Sequence, residues 1–528
     1  MLYYFTYLLI ILYVCFVGKR TLHMLQQNLY NENNRYIKWI NKNIKTTIFN
    51  YSLILIPLSL IALLCNKLEP ILLILMMIVC IISYIKEDKI ISSNQNKKPL
   101  VYTVRIKRLI VTLVILYLLP ILLSIIIGYK ELFLLILSIL TAFSFYTTFI
   151  ALILNIPIEK MIYRHFETMA KNKLASMKNL KVIGITGSYG KTSCKNILDD
   201  ILSIKFNSLA TPKSLNTFNG LMITINNKLD KFDDVFIAEM GAYVRGEING
   251  LCDLVNPKYG IITSIGTAHL ETFGSLENIQ KGKMELIEHL PSDGIGVLNM
   301  DDIRQTSYQI KNNCKIIWIG IDSDDVDFKA SNIKTEGVKT TFDIWFKNDN
   351  KKYKFETKLL GRHNVYNILS AVALGYEFGI SIKDLQIAVR RVKPIEHRLE
   401  LKRLGNFYQI DDAYNSNPIG AKGALDVLNG MDGYKVVVTP GMIELGEKEY
   451  ELNFEFGKQI SEVADLVILV GKKQTKPILE GLKSNDFDDK KIITINDVRE
   501  SFTIINNLNK NKDVYALYEN DLPDTYNE

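Results

Sequence analysis

The chain has 528 residues, 48% of them hydrophobic and 23% charged, with a formal net charge of +7. That length allows about three domains with full-sized cores, and the composition excludes a disordered chain. Six cysteines (Cys15, Cys65, Cys80, Cys194, Cys252 and Cys314) show no C-x-x-C spacing, which excludes a disulfide scaffold and a zinc ribbon.

The longest apolar runs lie before residue 158 and predict five membrane spans: Leu2–Val17, Thr47–Cys65, Ile71–Ile85, Leu109–Tyr129 and Leu132–Ile156. The second, fourth and fifth approach the roughly 20 residues that cross a bilayer, while the first and third are short. The first run lacks a basic n-region and a small-residue cleavage site, which argues against a signal peptide. Residues 19–46 carry Lys19, Arg20, Arg35, Lys38, Lys42 and Lys45, and residues 86–108 carry Lys86, Lys89, Lys97, Lys98, Arg105, Lys107 and Arg108. The alternate loops hold only Lys67 and Lys130. Positive loops stay cytoplasmic, so the N-terminus is expected outside and everything after residue 157 inside. The expected setting is a multi-pass plasma-membrane protein in contact with lipid. The five spans as drawn contain no Asp, Glu, Lys, Arg or His, which favours an anchor or lipid-facing platform over a pump. Pro57 and Pro120 predict kinks. Membrane topology accounts for the basic residues, so no nucleic-acid partner is expected.

Residues 158–179 suit a polar connecting helix. Lys181–Thr186 reads as a buried strand, and Gly187, Ser188, Tyr189, Gly190, Lys191 and Thr192 as a glycine turn opening a helix through Leu202. Backbone N–H groups and the helix dipole favour an anion there, Lys191 adds charge, and the Thr192 hydroxyl suits Mg²⁺. The standard spacing wants Gly at 185, where this chain has Ile, so the motif is a shortened variant. A second strand, Val235–Gly241, carries Glu239 toward the carboxyl end of a parallel sheet, where it suits a Mg²⁺ ligand or a solvated strand-end acid. The strand Tyr259–Ser264 leads to His269. Residues 294–298 form a strand before Asn299 and Asp301, and residues 337–357 read as a hairpin. Gly361 opens a helix through Tyr376 that carries His363, Asn364 and Asn367, where Asn364 also suits an N-cap. Pro394 marks a boundary. Beyond it come Arg398, the strand Phe407–Ile410, the turn with Asp412 and Asn415, and the strands Lys435–Thr439, Leu466–Val470 and Lys491–Ile495.

The ordered set T-G-S-Y-G-K-T, E-M-G, A-H-L-E-x-F-G-S, G-R-H-N-V-x-N and D-D-A-Y-N-S-N-P resembles the Mur ligase family over about residues 180–470. Its phrasing is nearest the member that adds D-alanyl-D-alanine. The resemblance implies an ATP-dependent ligase of peptidoglycan precursor synthesis that makes an acyl phosphate and then an amide. Ahead of the matching segment stand the α-helical membrane region (1–157) and linker helix (158–179) expected from the apolar runs. After these come an α/β P-loop central domain with a parallel sheet (180–394) and a C-terminal Rossmann-like domain (395–528). By resemblance Lys191, His269 and Lys283 serve catalysis, and Thr192, Glu239, His269 and a carbamylated Lys283 hold Mg²⁺. A solvated helix lysine is the other reading of Lys283. Gly187–Thr192, Asn299, Asp301, His363, Asn364, Asn367, Arg398, Asp412 and Asn415 would face ATP. The partners implied are a small-molecule amine and a UDP- or lipid-linked peptide precursor.

Two features depart from the family. Membrane spans replace the N-terminal domain that grips the UDP-sugar. The family's Lys-Gly-Ser-Arg-like C-terminal segment is absent, and Leu517-Tyr-Glu-Asn-Asp-Leu stands near this end instead. The alternative reading is therefore a membrane-bound relative acting on a lipid-linked envelope precursor or a polyglutamate-type polymer.

Overall fold

The computed structural model describes residues 2–93, 99–336, 339–413, 416–443, 445, 448–508 and 511–521. They form two compact units, 1–165 and 166–528.

The first unit is helical: α1 (Leu2–Gln27), α2 (Arg35–Lys42), α3 (Ile44–Thr47), α4 (Leu55–Leu64), α5 (Glu69–Ser93), α6 (Val104–Ile127), α7 (Lys130–Ala142) and α8 (Ser144–Ser176), the last continuing into the second unit. Among the described residues four helices are long and apolar enough to cross a membrane: Leu2–Gln27, Glu69–Lys89, Val104–Ile127 and Ser144–Ser176. The five expected spans are thereby corrected in three respects.

Segment Thr47–Cys65 is not one long helix but a 3-10 turn (Tyr51–Ile54) followed by α4. Pro57 sits in the first turn of α4, where its missing N–H breaks no bond, so the expected kink is absent there. Pro120, by contrast, lies inside α6. Segment Leu132–Ile156 breaks at Phe143 (φ −101°, ψ 37°). The Thr147 hydroxyl donates to the Leu140 carbonyl across that break at 2.8 Å, satisfying an acceptor the interrupted helix leaves open. Finally, α1 and α5 run past the expected ends and carry charge into the bundle. Arg20 and Glu87 pair at 2.7 Å, with Glu87 buried and Arg20 partly so.

The chain passes five times between the two ends of this unit. Near one end lie the starts of α1 and α7, where Tyr3 Oη donates to Glu131 and Tyr7 Oη to the Lys130 carbonyl. At the other end Arg20 meets Glu87, Gln26 bonds Val101 in both directions, and Arg108 pairs with Glu159 at 2.7 Å. The ring of Tyr51 lies 4.1 Å from Lys86 at this same end, so the short segment 51–64 must carry the chain back to the start of α5.

The second unit contains two sheets. The first comprises β1 (Lys181–Thr186), α9 (Lys191–Leu202), β2 (Ser208–Ala210), α10 (Phe218–Asn227), β3 (Val235–Glu239), α11 (Glu247–Val255) and β4 (Tyr259–Ile262). It continues through α12 (Leu270–Phe273), α13 (Leu276–His289), β5 (Ile295–Asn299), α14 (Ile303–Thr306), β6 (Lys315–Gly320), β7 (Phe328–Glu336), β8 (Lys339–Phe346), β9 (Lys351–Thr357), α15 (Arg362–Glu377) and α16 (Ile382–Arg391). Strand order is β2-β3-β1-β4-β5-β6-β7-β8-β9, parallel as far as β7 and antiparallel beyond. The expected hairpin is β8–β9, extended by β7. Helices α9, α15 and α16 cover one face and α10, α11 and α13 the other, each over its own apolar cluster. Strand β1 is central, flanked by β3 and β4, and its carboxyl end is where the connections diverge, the usual ligand crevice of an open α/β sheet.

The second sheet comprises β10 (Glu400–Leu404), β11 (Phe407–Asp412), α17 (Pro418–Asn429), β12 (Tyr434–Thr439), α18 (Glu449–Ser461), β13 (Leu466–Val470), α19 (Lys476–Ser484), β14 (Ile492–Ile495), α20 (Val498–Asn506) and β15 (Val514–Glu519). Its order is β10-β11-β15-β12-β13-β14, with only β10 antiparallel. The sequence reading missed β15, which lies in the middle.

Candidate active site at the carboxyl end of the central sheet

β1 ends in the glycine turn. Gly187 has φ +151° and Gly190 φ +81°, both in the region that favours glycine. At Gly187 a Cβ would also collide with the Thr263 hydroxyl. The turn is laced to the segment after β4. Ser188 N donates to the Ser264 carbonyl at 2.7 Å, Gly266 N to Ser188 Oγ at 2.8 Å, and Thr263 Oγ1 to the Tyr189 carbonyl at 2.5 Å. Gly190 then caps α9, whose first-turn N–H groups have no partners within the helix. Lys191 Nζ donates to the Gly187 carbonyl at 2.8 Å, so its charge sits over the turn.

Glu239 ends β3 and is 1% exposed. Its Oε1 accepts from Thr192 Oγ1 at 3.1 Å and from Asn216 Nδ2 at 3.0 Å. Its Oε2 lies 3.0 Å from Lys195 Nζ, but off the hydrogen-bonding axis, and has no hydrogen-bond partner. Lys195, also 1% exposed, donates to the Lys213 carbonyl at 2.5 Å.

Three basic groups crowd the same crevice. Burial and the Arg398 charge push Lys191 down to about 8, against the pull of Glu239. Lys283 on α13 is 1% exposed, so it is no solvated helix lysine. Burial and the Lys191 charge push it down to about 7. His269 lies not at the end of β4 but at the start of α12, with φ +60° and its ring 4.4 Å from that of Tyr243. Burial together with Lys191 and Lys283 lowers its pKa, leaving a neutral imidazole. Several cationic groups in mutual repulsion suit an anionic ligand.

Other expected residues divide. The Asn367 amide lies 3.3 Å from where a Gly190 Cβ would stand, placing α15 against the turn. Asn364 does not cap α15, because Gly361 does; its amide donates to the Leu360 carbonyl at 2.8 Å and its Oδ1 accepts from Asn367. His363 keeps an exposed edge, and crowding plus the Arg398 charge lower its pKa. Arg398 thus acts on Lys191, His363 and Asp412 alike.

Asp301 accepts the backbone N–H groups of Ile321 at 2.6 Å and Ser323 at 2.8 Å, and the Tyr366 hydroxyl at 2.8 Å. These bonds hold it far below the usual carboxylate range despite partial burial, and they assign it to anchoring a loop. Asn299 Oδ1 accepts from Asp301 N. Asn415 lies outside the described residues.

The family model of the Mur ligase middle domain matches residues 185–375, and that of the Mur ligase glutamate ligase domain matches residues 397–517. A UDP-N-acetylmuramoyl-tripeptide--D-alanyl-D-alanine ligase of Buchnera aphidicola (subsp. Baizongia pistaciae) is 30% identical over 351 residues, 62% of this chain and 75% of that enzyme. This chain belongs to the Mur ligase family. Enzymes of the same name from Escherichia coli and Bacillus subtilis are 31% and 32% identical over 56% and 55% of this chain. The match spans 65% and 63% of their lengths, slightly under two thirds. Among solved structures, MurF from Acinetobacter baumannii superposes with a TM-score of 0.60 at 26% identity, covering 67% of this chain and 77% of that one.

In this Mur ligase no group of three His, Cys, Asp or Glu side chains among the described residues could hold a metal alone. Mg²⁺ needs less, since it usually keeps waters and substrate phosphates beside one or two protein oxygens. Thr192 Oγ1 and the under-bonded Glu239 fit that requirement. Sequence reasoning missed Lys195 and Asn216, the two other groups on Glu239. The signal for Lys195 was its position four residues after Lys191, on the same face of α9.

Proposed function

We propose that this chain is a membrane-anchored, ATP-dependent amide ligase of peptidoglycan precursor synthesis. It activates a peptide carboxylate as an acyl phosphate for attack by an amine such as D-alanyl-D-alanine. The carrying observation is the convergence of the glycine turn, Lys191, Lys283, His269 and the Thr192–Glu239 pair on one crevice in a Mur ligase fold. The curated relatives named above carry this activity in their names.

The turn's N–H groups and Lys191 would grip the triphosphate and neutralise charge as the phosphoryl group moves to the carboxylate. Thr192 and Glu239 would hold Mg²⁺, which when bound screens the repulsion between carboxylate and triphosphate. Lys283, its pKa pushed down to about 7, has a sizeable unprotonated fraction near neutral pH that can accept CO₂ with loss of a proton, and the resulting carbamate would be a ligand beside neutral His269. Asn299, His363, Asn364 and Asn367 would line the nucleotide side, with Arg398 and Asp412 reaching it from the C-terminal domain.

The test is ATP-dependent phosphate release by the full chain with UDP-linked tripeptide and a panel of amines. Release should require both substrates and be abolished in Lys191→Ala while the melting temperature holds. ATP turnover indifferent to every amine would reject a ligase.

A second reading takes the precursor as lipid-linked. Four helices of membrane length precede the ligase portion, and a cytoplasmic active site on a multi-pass protein would meet such a precursor at the bilayer. Comparing UDP-linked and undecaprenyl-linked tripeptide in the same assay separates the two. Equal or better turnover of the UDP form removes the lipid-linked version.

A further inference from the structure

At the carboxyl end of the second sheet, β11 and β15 run parallel and in register, so Asp412 stands beside Glu519. Glu519 is 1% exposed, and its Oε1 accepts the Ser416 hydroxyl at 2.5 Å. Its Oε2 is buried without any N–H or O–H donor, and its carboxyl neighbours that of Asp412 across the β11–β15 register. Two carboxyl groups can hydrogen-bond only if they share a proton. Asp412 Oδ1 accepts Leu399 N at 3.2 Å, one residue beyond Arg398. Asn520 ties the same corner together: with φ +71°, its Oδ1 accepts Ser416 N and its amide donates to the Gly441 carbonyl at 2.7 Å. Loops following β11, β12 and β15 therefore meet on this acid pair. The neighbouring Asp411 faces away, to His397 and Lys402.

We infer that Glu519 is a positioning residue. It stays a neutral carboxylic acid at physiological pH and donates its proton in a hydrogen bond to Asp412, aiming the Asp412 carboxylate at the nucleotide. The inference rests on the proposed ATP site, in which Asp412 is the contact and Glu519 stands behind it, held by Ser416.

The chemistry sets a sign. Among the described residues, the charges acting on the pair are Arg398, from the segment before β10, and Asp411 on the same strand, which faces away but adds its field. α17 presents Ser416 at its start, and the β12 side presents only the Gly441 carbonyl, through Asn520. Burial raises both acids: Asp412 to about 6, and Glu519 well above its ordinary value, with the Asp412 charge adding to the effect. The pair thus keeps one proton to higher pH than an isolated carboxyl would, and gives it up as pH rises further. Two buried like charges then repel, and Asp412 loses its fixed aim.

The experiment is ADP–Mg²⁺ binding to the full chain in nanodiscs by calorimetry, from about pH 6 upward into the alkaline range. The parent should bind with constant affinity through neutrality and then lose about 10-fold for each unit above the pair's second titration. Glu519→Gln keeps the shape and a permanent donor, so its affinity should match the parent's at neutral pH and stay flat where the parent's falls. Ser416→Ala removes a bond to the ionised form and should move the fall to higher pH. The same affinities at every pH in parent, Glu519→Gln and Ser416→Ala would overturn the inference while leaving the nucleotide site intact. Absence of ADP binding by the parent at any pH would overturn the site itself, and the inference with it.

Discussion

Lys195 sits where a carboxylate would otherwise be buried alone. With both Lys195 and Glu239 1% exposed and 3.0 Å apart, removing one partner leaves an uncompensated interior charge, at a typical cost of about 3–5 kcal/mol. Lys195→Met should therefore lower stability by that order in denaturant titration, whereas Lys195→Met with Glu239→Gln should recover most of it. Lys283 predicts a pH dependence with a definite sign. Its folded pKa of about 7 lies below its ordinary 10.5, so between those values the unfolded chain binds the extra proton. Its contribution to stability therefore rises with pH across that window and falls toward neutrality. Lys283→Met should flatten the slope in melting curves. Lys283→Ala should lose ligase turnover and regain part of it with short carboxylic acids. Lys195 carried only a positional signal, because a lysine one turn along a helix looks the same whether it is solvated or packed, and Asn216 carried none. Lys191, Thr192 and Glu239 were legible, since each lies within a few residues of an apolar strand end, and local order alone places them.

Elements were readable where pattern and punctuation agreed. The strand before Gly187, the helix to Leu202 and the hairpin turning near Asn350 all appear within a residue or two of expectation. β15 was not: Val-Tyr-Ala-Leu-Tyr-Glu alternates poorly, and only its insertion between β11 and β12, with neighbours on both faces, makes it a strand. Helix lengths in the first unit failed for a related reason. Hydropathy reports which residues avoid water, and a hydroxyl-bridged break such as that at Phe143 leaves it unchanged. In the glycine turn, backbone geometry dominates side-chain chemistry. Gly190→Ala forces a left-handed conformation at about 1–2 kcal/mol, so nucleotide binding should weaken by roughly tenfold with little effect on the remainder of the fold. Gly187→Ala meets Thr263 as well and should bind no nucleotide detectably in the same calorimetric assay.

At the scale of the molecule, basic side chains gather at one end of the helical unit, where Arg20, Lys86, Arg105 and Arg108 lie, while Lys67 and Lys130 stand toward the other. Five passes place the start of α1 and the exit of α8 at opposite ends, although the pass through residues 51–64 covers only about 23 Å by helical rise. Membrane insertion with the basic end inside predicts that a tag before α1 is reachable from outside intact cells and a C-terminal tag is not. Replacing Arg20 or Glu87 alone by Leu should lower thermal stability in detergent, and replacing both should restore much of it. The position of β15 has a consequence for biogenesis. Among the described strands β15 comes after all the others in the chain but sits between β11 and β12, so neither can be covered on both edges until residue 519 leaves the ribosome. Until then the second sheet lacks its central strand. A nascent chain stalled a few codons short would carry a complete glycine turn but an unfinished second sheet, the part of the chain proposed to supply Arg398 and Asp412 to the nucleotide.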